Sequence, residues 1–95
     1  MIYISGKITG TTDYLKRFAV GEMGFKFNGI SVINPAAVCD RLPELKHKDY
    51  MKICMSLLSF CDTIYMLKDW KDSVGAKMEH KQAIKDDLKI LYEVE

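Results

Sequence analysis

Asp62-Thr63-Ile64-Tyr65-Met66-Leu67-Lys68-Asp69-Trp70-Lys71-Asp72-Ser73-Val74-Gly75-Ala76-Lys77-Met78-Glu79 decides the fold, because an apolar run of strand length passes through a short polar turn into a helix. Ser73 offers the N-cap of that helix. Glu79 stands too far in to be its capping-box partner, a place that Ala76 occupies. Ala76, Glu79 and Ala83 recur at spacings of three and four, so they share one helix face, made of residues small enough to pack on a sheet. An acid on that face, overlooking the end of a strand, has no inexpensive structural account.

Working outward, Ile2-Tyr3-Ile4 reads as a first strand broken by the turn Ser5-Gly6. Thr11, Thr12 and Asp13 offer N-caps, Tyr14, Phe18, Gly21 and Phe25 follow at helical spacing, and Asn28-Gly29 stops this first helix. Ile30 to Ile33 is a second strand closed by Asn34-Pro35. Residues 36–46, which include Pro43, form the longest irregular stretch and are expected to be a mobile loop. Tyr50, Ile53, Cys54, Leu57, Leu58 and Cys61 mark a second helix, residues 62–67 a third strand, 74–86 a third helix and 88–92 a fourth strand. Alternating strands and helices predict an α/β fold: a flavodoxin-like, doubly wound parallel sheet of four strands in order 2-1-3-4 with three helices. The turns at Ser5-Gly6, Asn34-Pro35 and Lys68 to Ser73 then meet at the carboxyl edge of the sheet, where such folds bind ligands. Right-handed crossovers put the first helix on one face and the other two on the opposite face, leaving part of the sheet bare. A homo-oligomer burying that face is expected.

Ninety-five residues, 48% of them hydrophobic, make a single domain spanning 1–95. A net charge of +1 from 14 basic and 13 acidic residues gives no footprint for a nucleic acid polymer or a membrane surface, so a small-molecule partner is expected. Cys39, Cys54 and Cys61 form no CxxC pair, and Met1 to Ser5 lacks a signal-peptide pattern, which reads as a reduced, cytoplasmic protein. His47 and His80 have no partners at metal spacing, so no metal is expected. No cofactor fingerprint is present either. Gly6-Lys7-Ile8-Thr9 lacks the GxxxxGK[ST] frame, and Gly6 with Gly10 fails the GxGxxG spacing.

Several residues near the proposed edge admit two readings. The amides of Ser5, Gly6 and Lys7 hold an anion or simply turn the chain. Ser73 and Gly75, at a helix N-terminus, seat a phosphate or form a plain cap. Trp70 stacks on a base, or serves as a core lid or oligomer contact; Tyr3 orients a carboxylate or fills the core. Cys54 lies on the apolar stripe of its helix, where a small buried hydrophobe is the leading reading.

Ile2 through Gly10, Asn34-Pro35-Ala36, Asp49-Tyr50-Met51, Cys61 through Leu67 and Trp70 through Glu79, with its S-x-G-A-x-x-E core, together resemble the nucleoside 2-deoxyribosyltransferase-like superfamily, and in particular its small DUF4406 branch. The resemblance implies cleavage of the N-glycosidic bond of a deoxynucleoside or its 5′-monophosphate. It makes Glu79 the nucleophile and Tyr3 its orienting partner; Ser5, Gly6, Lys7, Asn34, Trp70, Ser73 and Gly75, at the turns that meet on this edge, are expected to bind the substrate. Ser73 matches the branch that binds a 5′-phosphate. Cys54 is a departure, since characterised members carry there an aspartate that assists the departing base; those members also continue past the fourth strand. The alternative is a non-catalytic nucleotide or nucleotide-sugar binder that has lost the general acid.

Overall fold

Every connection between strands passes through a helix, so all strand pairs run parallel. The computed structural model describes residues 1–94. Its elements are β1 (Ile2–Ser5), α1 (Tyr14–Phe27), β2 (Val32–Ile33), α2 (Pro35–Asp40), α3 (His47–Leu58), β3 (Thr63–Met66), a single 3₁₀ turn (Trp70–Asp72), α4 (Val74–Lys85) and β4 (Lys89–Tyr92). The sheet order is β2-β1-β3-β4, the flavodoxin-like arrangement expected from the sequence.

Side chains alternate across β1, so Ile2 and Ile4 face one side and Tyr3 and Ser5 the other. Ile4 packs with Phe18 of α1, Ala36 of α2 and Leu67. Tyr3 packs with Leu58 of α3, with Ala76 and Ala83 of α4, and with Ile64 and Met66 of β3. These two cores flank the sheet. On the α1 side Phe25 meets Tyr65 edge to face, with ring centroids 4.9 Å apart. Tyr65 and Leu91 nevertheless stay only half-buried, and the outward stripe of α1 exposes Val20, Met23 and Phe27.

Four elements differ from the sequence reading, the first being β2, which covers only Val32–Ile33 of the expected 30–33. Residues 36–46 are not all loop, because α2 occupies Pro35–Asp40. The Asn34 side chain accepts the Ala37 amide at 3.1 Å, and Pro35 at the first helical position loses no hydrogen bond there; together they start a helix. Asp13 precedes α1 without capping it, since its carboxylate goes to Arg17 at 3.2 Å instead. α3 begins at His47 and ends at Leu58, leaving Cys61 in the turn that leads to β3. At the end of α1, Gly29 takes φ +76°, the left-handed conformation that its stop signal predicts.

Candidate functional site

Ser73 caps α4, its hydroxyl accepting the Ala76 amide at 3.1 Å. That cap fixes the phase of the helix, so Ala76, Glu79 and Ala83 turn inward and all three are buried, Glu79 at 6% exposure. Directly opposite stand the two hydroxyls that β1 presents on this face. Tyr3 donates a hydrogen bond to Oε2 of Glu79, and Ser5 donates to Oε1 at 2.7 Å. Both oxygens are therefore held by neutral groups, and among the described residues Glu79 makes no salt bridge.

Burial dominates the electrostatics of this floor. It lifts the Glu79 carboxyl from its ordinary 4.5 to about 7, against the opposing pull of the Tyr3 and Ser5 hydrogen bonds. Burial, then the neighbouring Glu79 charge, raises Tyr3 well above its ordinary value and pushes the Cys54 thiol up to about 12. Near neutrality, Glu79 is the group of these three that exchanges a proton.

Glu79 opens onto a cavity of about 860 Å³, ample for a nucleotide-sized ligand. Tyr3, Gly6, Lys7, Ser73 and Gly75 line it, so the structure gathers most of the residues singled out in the sequence around one space. Ser5 sits behind Glu79 rather than on the cavity wall. Val74 and Gly75, at the start of α4, lie where helical amides have no intrahelical acceptor, and both line the cavity. Gly75 also brings α4 close to α3: a Cβ there would lie 3.1 Å from Met51 Sδ.

Three of the sequence assignments sit elsewhere or are otherwise engaged. Asn34 lies outside the cavity wall, capping α2 and donating to Glu22 at 3.1 Å. Trp70 also lies outside: its ring stacks on His80 with centroids 4.1 Å apart, and His80 Nε2 is 2.8 Å from the Tyr92 hydroxyl. The Lys7 amide is not free for an anion, because it donates to Asp69 at 3.3 Å. Asp69 in turn pairs with Arg17 at 2.6 Å, and Arg17 donates to the Lys7 carbonyl at 2.9 Å. An ion pair thus grips both backbone groups of Lys7. Gly6 is needed beside it, since a Cβ there would fall 2.7 Å from Leu67 Cδ1 and 2.9 Å from its Cβ.

The sequence reading missed other wall residues: Tyr14 and Phe18 from α1, Cys39 from α2, and His47 and Tyr50 from α3. Tyr14 and Phe18 were visible only as helix-face residues. The Asn34-Pro35 helix start is the signal that would have brought Cys39 to the site. Among the described residues, no group of three or more His, Cys, Asp or Glu side chains stands together as a metal site, and no helix is long and apolar enough to cross a membrane. Residues 1–92 match the family described as "Domain of unknown function (DUF4406)", and the chain belongs to it. No curated protein and no solved structure matches the chain.

Proposed function

We propose that this member of the DUF4406 family cleaves the N-glycosidic bond of a deoxynucleoside 5′-monophosphate or deoxynucleoside, with Glu79 as nucleophile and Tyr3 as the group that orients it. The observation that carries the reading is a buried carboxylate at the floor of an open cavity, held by two neutral hydroxyls and no cation. A carboxylate kept as a structural anchor is normally neutralised by a cation; this one is held by hydroxyls alone, beside a cavity. In the proposed reaction an ionised Glu79 oxygen attacks C1′ as the glycosidic bond lengthens, stabilising an oxocarbenium-like transition state and forming a glycosyl ester. Water or a second base then resolves the ester. Ser73 and the first amides of α4 seat the 5′-phosphate, and Gly6 and Lys7 form the opposite wall.

Incubation with a panel of deoxynucleoside monophosphates is expected to release free base, and Glu79→Ala to abolish the release. Absence of release from every nucleotide offered, neutral or with a cationic ring, with or without an acceptor base, would rule out the catalytic reading. Cys54 favours one second reading, a nucleotide binder without turnover, since a thiol at about 12 supplies no proton at neutral pH. That reading predicts thermal stabilisation by ligand, about 2.7 kcal/mol at a hundred times Kd, with no product. In either reading we take the protein to be cytoplasmic, its three cysteines all being free, and homo-oligomeric, a second copy covering the face of β3 and β4 that carries the half-buried Tyr65 and Leu91. Light scattering tests the assembly; a monodisperse monomer at micromolar concentration contradicts it.

A further inference from the structure

The inner wall of the cavity carries a single acid. Glu79 is buried there beside Tyr3, Phe18 and Ala36 and the half-buried Cys39 and Cys54, whereas Asp40, His47 and Asp72 are exposed at the rim. Glu79 must be ionised to attack, so it has no proton to give. Cys54 keeps its proton, because burial and the Glu79 charge both oppose the thiolate. Lys7 lines the cavity too, from the loop after β1, but the inner wall itself offers a departing anion only a carboxylate, a thiol and hydrocarbon, surroundings poorly suited to negative charge. The same surroundings suit a departing group that starts positive. Glu79 supplies an opposing charge, and Tyr14, Phe18 and Tyr50 line the cavity with aromatic rings that attract a flat cation.

Resting on the glycosidase reading above, we propose that the substrate is a nucleotide whose aglycone is already a cationic ring, of the pyridinium or N7-alkylpurine class. When its C1′–N bond breaks, the electron pair returns to the ring nitrogen, cancels the positive charge and releases a neutral ring with no proton delivered. A Glu79 oxygen forms the new C1′–O bond. Water then attacks C1′, displaces the carboxylate and gives its proton to solvent. Cationic nucleotide and water thus become sugar phosphate, neutral ring and a proton.

The test compares substrates that differ in ring charge: 7-methylguanosine 5′-monophosphate and nicotinamide mononucleotide against guanosine 5′-monophosphate and the deoxynucleoside monophosphates. Rates are taken as the excess of wild type over Glu79→Gln, which removes spontaneous loss of the ring. The cationic nucleotides are expected to be cleaved at least about 10²-fold more efficiently, the lower end of what a general acid contributes. Comparable cleavage of neutral nucleotides overturns the cationic assignment and keeps the glycosidase; no Glu79-dependent cleavage of either group overturns both. Two variants probe the missing acid directly. Cys54→Asp is expected to raise cleavage of the neutral nucleotides about 10-fold or more, while the cationic ones gain nothing. Cys54→Ser, which keeps the volume if the aspartate variant does not fold, is expected to retain cationic cleavage within about 3-fold; a loss of about 10² or more would make the thiol the acid and overturn the proposal.

Discussion

Asp69 and Glu79 are two carboxylates at the same edge of one sheet, and their partners are opposite in kind. Asp69 meets the Arg17 guanidinium at 2.6 Å and a backbone amide, so its charge is neutralised and holds Lys7 in the cavity wall. Glu79 meets only the hydroxyls of Tyr3 and Ser5 inside a buried pocket, and its charge is resisted. One acid holds the fold together; the other makes it less stable whenever it ionises. A destabilising acid beside a cavity is the pattern expected where chemistry rather than stability sets the residue.

The largest expected contrast is in activity. Glu79→Gln should lower base release by about 10³-fold or more, because it removes the nucleophile, whereas Asp69→Asn, which leaves the floor intact, should retain most of kcat and raise KM. Assays of both variants on the preferred nucleotide check this, and equal losses of kcat would erase the distinction.

Stability should move in opposite directions. The folded Glu79 has a pKa of about 7 against 4.5 when unfolded, so between those values the folded chain binds more protons than the unfolded one. The Glu79 contribution is therefore fully present below pH 4.5 and falls away as pH rises through 7, by roughly 3 kcal/mol. Urea unfolding should show Glu79→Gln gaining on wild type by about that amount between pH 4.5 and 8. Asp69→Asn should instead lose about 1–3 kcal/mol at pH 7, since it removes the closer of the two carboxylates on Arg17 and the charged acceptor of the Lys7 amide. Gly6→Ala, which forces a Cβ against Leu67, should cost about 1–3 kcal/mol by the same measurement, through overpacking.

The smallest effect expected is on the rate profile. With Glu79 ionising near 7, kcat/KM should rise through about pH 7 and then level off, a limb that Asp69→Asn leaves in place.

Much of this contrast was readable on the Glu79 side. Period and cap chemistry placed Ala76, Glu79 and Ala83 on one face, and strand alternation put Tyr3 and Ser5 on a common side. The Asp69 side was hidden because its partners, Arg17 and Lys7, lie 52 and 62 residues earlier, and nothing local announces a pairing across two elements. Trp70 was misplaced for a similar reason: the 3₁₀ turn directs its ring toward His80, one element ahead, and away from the cavity. The α2 helix was hidden because Pro43 marks the segment as a loop, while its start signal is confined to Asn34, three residues before Ala37, and the adjoining Pro35.

The account stands on Glu79 as the reacting carboxylate, and the most direct measurement is base release at pH 8 by wild type and by Glu79→Gln across the neutral and cationic nucleotides. Release by the wild type that falls to background in a glutamine variant more stable than its parent is the predicted result. Release that persists in that variant, or a variant less stable than wild type at pH 8, would contradict it.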